Sequence, residues 1–195
     1  MRFLTFIISL FLTSQVLAFS PSDLRAFGKD NPVKLYLFTS LGCPHCADFH
    51  KNVLPAIQSK FVDTGKLQLI IVDVIRGEND LVATQAVRCL DAKKANQLET
   101  ELYAKQFNWL TQSHPNAKKT IAQYAGKYGM SSELFELCIS DSNLKSALSQ
   151  QINLARLYGV GGTPTLVMRE GSNVRKWEGG NRKEIVRALE DALRK

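Results

Sequence analysis

Two thiols set two residues apart, in Cys43-Pro44-His45-Cys46, are the side chains of this chain best suited to do chemistry. They lie where an apolar, β-favouring run (33–39) gives way to an amphipathic helical pattern (47–61). That order puts Cys43 at a helix N-terminus, where backbone N–H groups without intrahelical acceptors and the helix dipole favour a thiolate over a thiol. Cys43 therefore reads as a nucleophile. Cys46, about one helical turn deeper, is close enough to form a disulfide with it and reads as the resolving thiol. Pro44 suits the first turn, because the N–H it lacks would have no acceptor there. His45 reads as a tuner of the thiolate, against the alternative of an exposed loop histidine. A C-x-x-C can also be half of a zinc site. Zinc needs further Cys or His ligands at short spacing; the chain offers the distant Cys89 and Cys138, and His50 one turn along the same helix. Dithiol redox chemistry is the better reading.

The elements that must hold this pair follow from periodicity. Residues 33–39 are nearly unbroken in apolar character, as in a strand buried on both faces. The helix after the motif presents Phe49, Val53, Leu54, Ile57 and Phe61 at spacings of three and four, and Pro55 predicts a kink one turn earlier. Gly65 ends it, and 67–74 is a second β run. Strand, helix and strand imply a parallel pair with a right-handed crossover. Residues 20–32 read as a short helix or coil. From 78 to about 158 the periodicity is helical only. Leu81, Gln85, Val87 and Arg88 share one helix, Leu98, Leu102 and Trp109 a second, and Ile121, Tyr124 and Tyr128 a third. A short segment at 132–138 follows, then a longer helix capped by Asp141. The β pattern resumes as a hairpin, 165–169 and 174–178. Asn181 with Glu184 is a capping box for a last helix carrying Ile185, Leu189 and Leu193. Trp109, Trp177, Tyr103, Tyr124 and Tyr128 read as core or flank residues.

Composition narrows the class. Arg2, the apolar stretch 3–12 and Val16-Leu17-Ala18 read as a secretory signal over residues 1–18, with the mature chain, 19–195, starting at Phe19. With four cysteines, such a chain suits an oxidising compartment, here the periplasm. The formal charge of +7 becomes +6 without Arg2, and it is spread over pairs such as Lys93-Lys94, Lys118-Lys119 and Arg182-Lys183. A nucleic-acid binder would concentrate charge and interleave aromatics; this chain does neither.

Thr163-Pro164 follows Gly159-Val160-Gly161-Gly162 and precedes Thr165-Leu166-Val167-Met168. Alone it reads as a trans proline at a strand entrance, since only ~5% of X-Pro bonds are cis. Taken with Cys43-Pro44-His45-Cys46, with Ala47-Asp48-Phe49-His50-Lys51-Asn52-Val53-Leu54-Pro55 and with the helical insertion, it resembles the DsbA family of periplasmic thiol-disulfide oxidoreductases, most of all the alphaproteobacterial type. The resemblance covers nearly all of the mature chain. It implies an α/β thioredoxin fold with an inserted all-helical subdomain, its halves at about 33–76 and 159–195 and the insertion at about 77–158. It further implies a cis Pro164, with Thr163 offering backbone groups to a bound peptide beside an apolar groove. Cys43 would form the mixed disulfide, Cys46 would resolve it, and reduced exported proteins would be the substrates. No cofactor is implied, and a membrane partner would reoxidise the pair. Cys89 and Cys138 would form a structural disulfide; the residues alone also allow two buried thiols in helical contexts. An isomerase or reductase of the same fold is the alternative, and a non-catalytic peptide-binding module a more distant one. Two positions differ from the family pattern. Leu37 stands where thioredoxin and DsbA carry an acid, and Thr163 stands where strongly oxidising members often have Val.

Overall fold

The computed structural model of the protein describes residues 24–194. The expected signal, 1–18, and the mature start at Phe19 lie outside the described residues. Among the described residues five strands form one mixed sheet: β1 (Arg25–Phe27), β2 (Val33–Thr39), β3 (Gln68–Asp73), β4 (Thr165–Glu170) and β5 (Asn173–Glu178), in the order β1-β3-β2-β4-β5. β2 is central. It runs parallel to β3, with Leu35 opposite Leu69 and Thr39 opposite Asp73, and antiparallel to β4. Leu35 and Leu37 enter one core with Phe49, Ile57, Phe61, Ile185 and Leu189, while Phe38 enters another on Val72, Val167 and Ala155. Burial on both faces explains the run of apolar residues. At the sheet edge β1 replaces the helix or coil expected of 20–32. Three residues are too few for a period-2 signal; the strand exists because it pairs antiparallel with β3 and because Arg25 is tied to Glu99.

Past the motif, α1 (Pro44–Asn52) stops at Val53, α2 (Leu54–Ile57) follows, and Gln58–Val62 form a π-helical turn. The break falls within the turn before Pro55, where the proline ring and its missing N–H interrupt the ladder. The helices between β3 and β4 are α3 (Glu78–Arg88), α4 (Ala92–Ala104), α5 (Phe107–Leu110), α6 (His114–Lys127), α7 (Ser132–Ser140) and α8 (Ser142–Leu157). Asp91, Ser131 and Asp141 cap α4, α7 and α8 by accepting backbone N–H bonds. Trp109 does not share a helix with Leu98 and Leu102. The chain turns at Lys105 and Gln106, and Trp109 folds back from α5, fully buried, its indole N–H donating to the Leu102 carbonyl at 2.9 Å. The Gln106 amide reaches the Leu41 carbonyl at 2.6 Å. No glycine or proline marks this turn; long-range contacts make it.

The helical layer has its own core, with Val82, Leu98, Leu102, Trp109, Ile121 and Phe135, and both Cys43 and Cys46 belong to it. Burying each large side chain there contributes roughly 1.5–3 kcal/mol, so the dithiol rests on a packed wall. After the β4–β5 hairpin, α9 (Arg182–Leu193) starts at the Asn181–Glu184 capping box.

Candidate active site

Cys43 is the N-cap residue of α1, in extended conformation, and its carbonyl accepts the N–H groups of Cys46 (3.0 Å) and Ala47 (3.1 Å). The loop that delivers it is anchored by Asp80, a buried carboxylate in the first turn of α3. Asp80 accepts from the Ser40 hydroxyl (2.8 Å), the Gly42 N–H (3.0 Å) and the Arg76 N–H (2.8 Å), so one side chain pins the loops after β2 and β3 together. A Cβ at position 42 would meet Asp80 at 3.2 Å, which explains glycine there. Burial raises the Asp80 pKa and these donors oppose it.

The two sulfurs differ sharply in character. The Cys43 pKa is lowered to about 5, first by the S–H of Cys46, then, against the opposing effect of burial, by the Thr163 side chain and the N–H groups of Cys46 and His45. Cys46, only 1% exposed, is raised, first because its proton is shared toward Cys43 and then by burial. His45 thus acts on the thiolate through its backbone amide, while its side chain stands exposed beside Pro44 on the rim. Across the site the Thr163–Pro164 peptide bond is cis. In the thiol form Cys43 Sγ donates to the Thr163 carbonyl at 3.2 Å. The Thr163 hydroxyl is buried, turned toward both sulfurs and engaged with no other group among the described residues. Pro44, His45, Phe49, Thr163, Pro164 and Gly179 are among the residues lining an open groove of about 500 Å³ on this side.

Behind Cys46 lies a second, smaller cleft of about 180 Å³, lined by Leu37, Thr39, His50, Glu99 and Tyr103 among others. The Thr39 and Tyr103 hydroxyls are hydrogen-bonded at 2.9 Å, and the His50 ring packs on Tyr103 with centroids 4.8 Å apart. Both oxygens of Glu99 are held by Arg25, at 2.9 and 2.7 Å. The sequence named His50 only as a possible zinc ligand and Tyr103 only as a core or flank residue, and it singled out neither Thr39, Glu99 nor Arg25. His50 had one signal, its spacing of four from Cys46, which shares a helix face. Glu99 and Asp80 had none. Among the described residues no three His, Cys, Asp or Glu side chains converge as a metal site. Cys89 and Cys138 are bonded to each other, Cα atoms 6.2 Å apart, tying the end of α3 to α7 at the border of the core that also holds Cys43 and Cys46.

A family model described as thioredoxin matches residues 25–189. A Rickettsia typhi protein named as a protein-disulfide oxidoreductase is 27% identical over 174 residues, covering 87% of this chain and 63% of its own length. The chain thus spans under two thirds of that relative. Among solved structures, alpha-DsbA1 of Wolbachia pipientis superposes with a TM-score of 0.78 at 20% identity, covering 91% of this chain and 94% of its own. Oxidised BdbD of Bacillus subtilis gives 0.73 at 22% identity, covering 89% and 95%. These two likenesses establish the fold, a thioredoxin sheet carrying an inserted helical layer.

Proposed function

This chain belongs to the thioredoxin family, and from the dithiol at the head of α1 we propose that it is a thiol-disulfide oxidoreductase of the DsbA type, donating the Cys43–Cys46 disulfide to exported proteins. The carrying observation is the placement of Cys43 at the head of α1, beside Cys46 and the cis Thr163–Pro164 bond, an environment that lowers its pKa to about 5. Whatever holds that anion in the reduced protein stabilises the reduced form, and the disulfide becomes correspondingly oxidising. A substrate thiolate attacks Cys43 Sγ, forming a mixed disulfide as Cys46 leaves. The substrate's second thiolate then attacks the first substrate sulfur, forming the product disulfide and releasing Cys43 as a thiolate. An acidic Cys43 is a good leaving group for that second step. The groove beside Thr163 and Pro164 suits an extended peptide, and the named relative, a protein-disulfide oxidoreductase, supports the reaction class. The signal read at 1–18 supports export to the periplasm, with a membrane partner returning the pair to the disulfide.

The second reading, an isomerase or reductase on the same scaffold, draws on Thr163, whose hydroxyl turns toward both sulfurs. The reduction potential separates the two. Equilibrated against glutathione, the oxidase should lie well above the roughly −270 mV of thioredoxin and toward the roughly −120 mV of DsbA. A value at the thioredoxin end would refute the oxidase reading.

A further inference from the structure

Resting on that dithiol reading, we propose that His50 is the proton carrier for Cys46, taking up its proton when that sulfur attacks and returning it when the sulfur leaves, in a position where Leu37 can do neither. The cleft behind Cys46 makes this geometry. Its mouth is formed by the exposed Pro55, Gln58, Asn96 and Thr100, and its buried floor includes Leu37, Thr39 and Cys46. It therefore connects the resolving sulfur to solvent by a route separate from the substrate groove, which Cys46 does not line and from which Phe49 divides it.

Of the titratable groups on this cleft other than Cys46, two are committed elsewhere. Glu99 of α4 gives both oxygens to Arg25 of β1, so it stands as a fixed anion. Tyr103, also of α4, shares its hydroxyl with Thr39 and is raised well above its usual pKa by burial, first of all, and by Glu99. His50 remains. It sits four residues beyond Cys46 on α1, packs on Tyr103 at 4.8 Å, and is faced by Glu99 and Tyr103 from α4 and by Arg25 from β1. Burial, the largest influence, and Arg25 lower its pKa while Glu99 raises it. The imidazole is thus neutral and ready to accept at pH 7, with a fixed carboxylate near the charge that forms.

In the reoxidation direction the Cys46 sulfur attacks Cys43 Sγ of a mixed disulfide. The Cys43–Cys46 bond forms, the bond from Cys43 to the outside sulfur breaks, and its electron pair leaves on that sulfur. The Cys46 proton passes to His50 and on through the cleft to solvent, from which the departing thiolate is protonated. In substrate oxidation every transfer runs backward, and the leaving Cys46 receives its proton from His50.

The test uses the reduced mature chain and oxidised glutathione, with acid quenching and mass spectrometry to follow the glutathione adduct on Cys43. In His50→Gln and His50→Ala the adduct should form at the wild-type rate but decay about ten-fold or more slowly at pH 7, within the range by which a lost general base slows proton transfer. The decay rate of the variants should climb steeply with pH as hydroxide takes over, and added imidazole should restore His50→Ala. Wild-type decay in both variants, with an unchanged pH profile, would overturn the proposal while leaving the dithiol reading intact. An adduct that never forms in the wild-type protein would instead overturn the reading on which the proposal rests.

Discussion

Replacing Cys46 with Ala removes the largest single support of the Cys43 thiolate, the S–H that helps hold its pKa at about 5. A hydrogen bond to a charged group contributes ~1.5–3 kcal/mol, and each ~1.4 kcal/mol is a factor of ten in ionisation. The Cys46→Ala variant should therefore titrate roughly one to two pH units higher, at about 6 to 7, still below the ~8.5 of a free thiol. The remainder is held by groups the substitution leaves in place, the Thr163 side chain and the N–H groups at the head of α1. Cys46→Ser keeps a donor and should stay within about half a pH unit of wild type. The assay is the ultraviolet absorbance of the thiolate against pH in the reduced proteins. An Ala midpoint equal to wild type would refute the reasoning, because it would show that the helix terminus alone sets the ionisation. The same arithmetic scales the redox effect. A thiol ionising at about 5 rather than ~8.5 stabilises the reduced form at pH 7 by about 2.7 kcal/mol, or roughly 60 mV for a two-electron couple.

Two further outcomes follow from the same site and its scaffold. The folded-state pKa of Cys43 lies below the unfolded value, so its contribution to the reduced protein is complete above pH ~9 and is lost as pH falls through about 5; the oxidised protein has no thiolate to lose. The melting temperature of the reduced form relative to the oxidised form should accordingly rise between about pH 5 and pH 9, and a difference independent of pH would contradict the assignment. Replacing Cys89 and Cys138 together with Ser opens a link across 49 residues, and in the chain-entropy model this costs roughly 4 kcal/mol of stability under oxidising conditions. Denaturant unfolding measures it, and an unchanged midpoint would remove the disulfide's structural role.

What the amino-acid order determined by itself was local. Four consecutive residues, Cys43 to Cys46, set between an apolar run and a helical pattern, carry the dithiol, because capping and helix-terminus electrostatics act within one turn. The parallel β2–β3 pair, the break before Pro55, the caps at Asp141 and Asn181 and the hairpin were legible for the same reason, each depending on neighbours a few residues away. Tertiary structure decided the rest. β1 exists through its pairing with β3, and the turn between α4 and α5 through the Trp109 and Gln106 hydrogen bonds. Asp80 reaches Ser40 across 40 residues, Tyr103 reaches Thr39 across 64, and Arg25 reaches Glu99 across 74. A buried charged or hydroxyl group is settled by the donors and acceptors that the fold brings to it, and sequence separation does not encode those meetings. So the sequence located the two sulfurs of the proposed dithiol, and only the folded protein showed what surrounds the first and what stands behind the second.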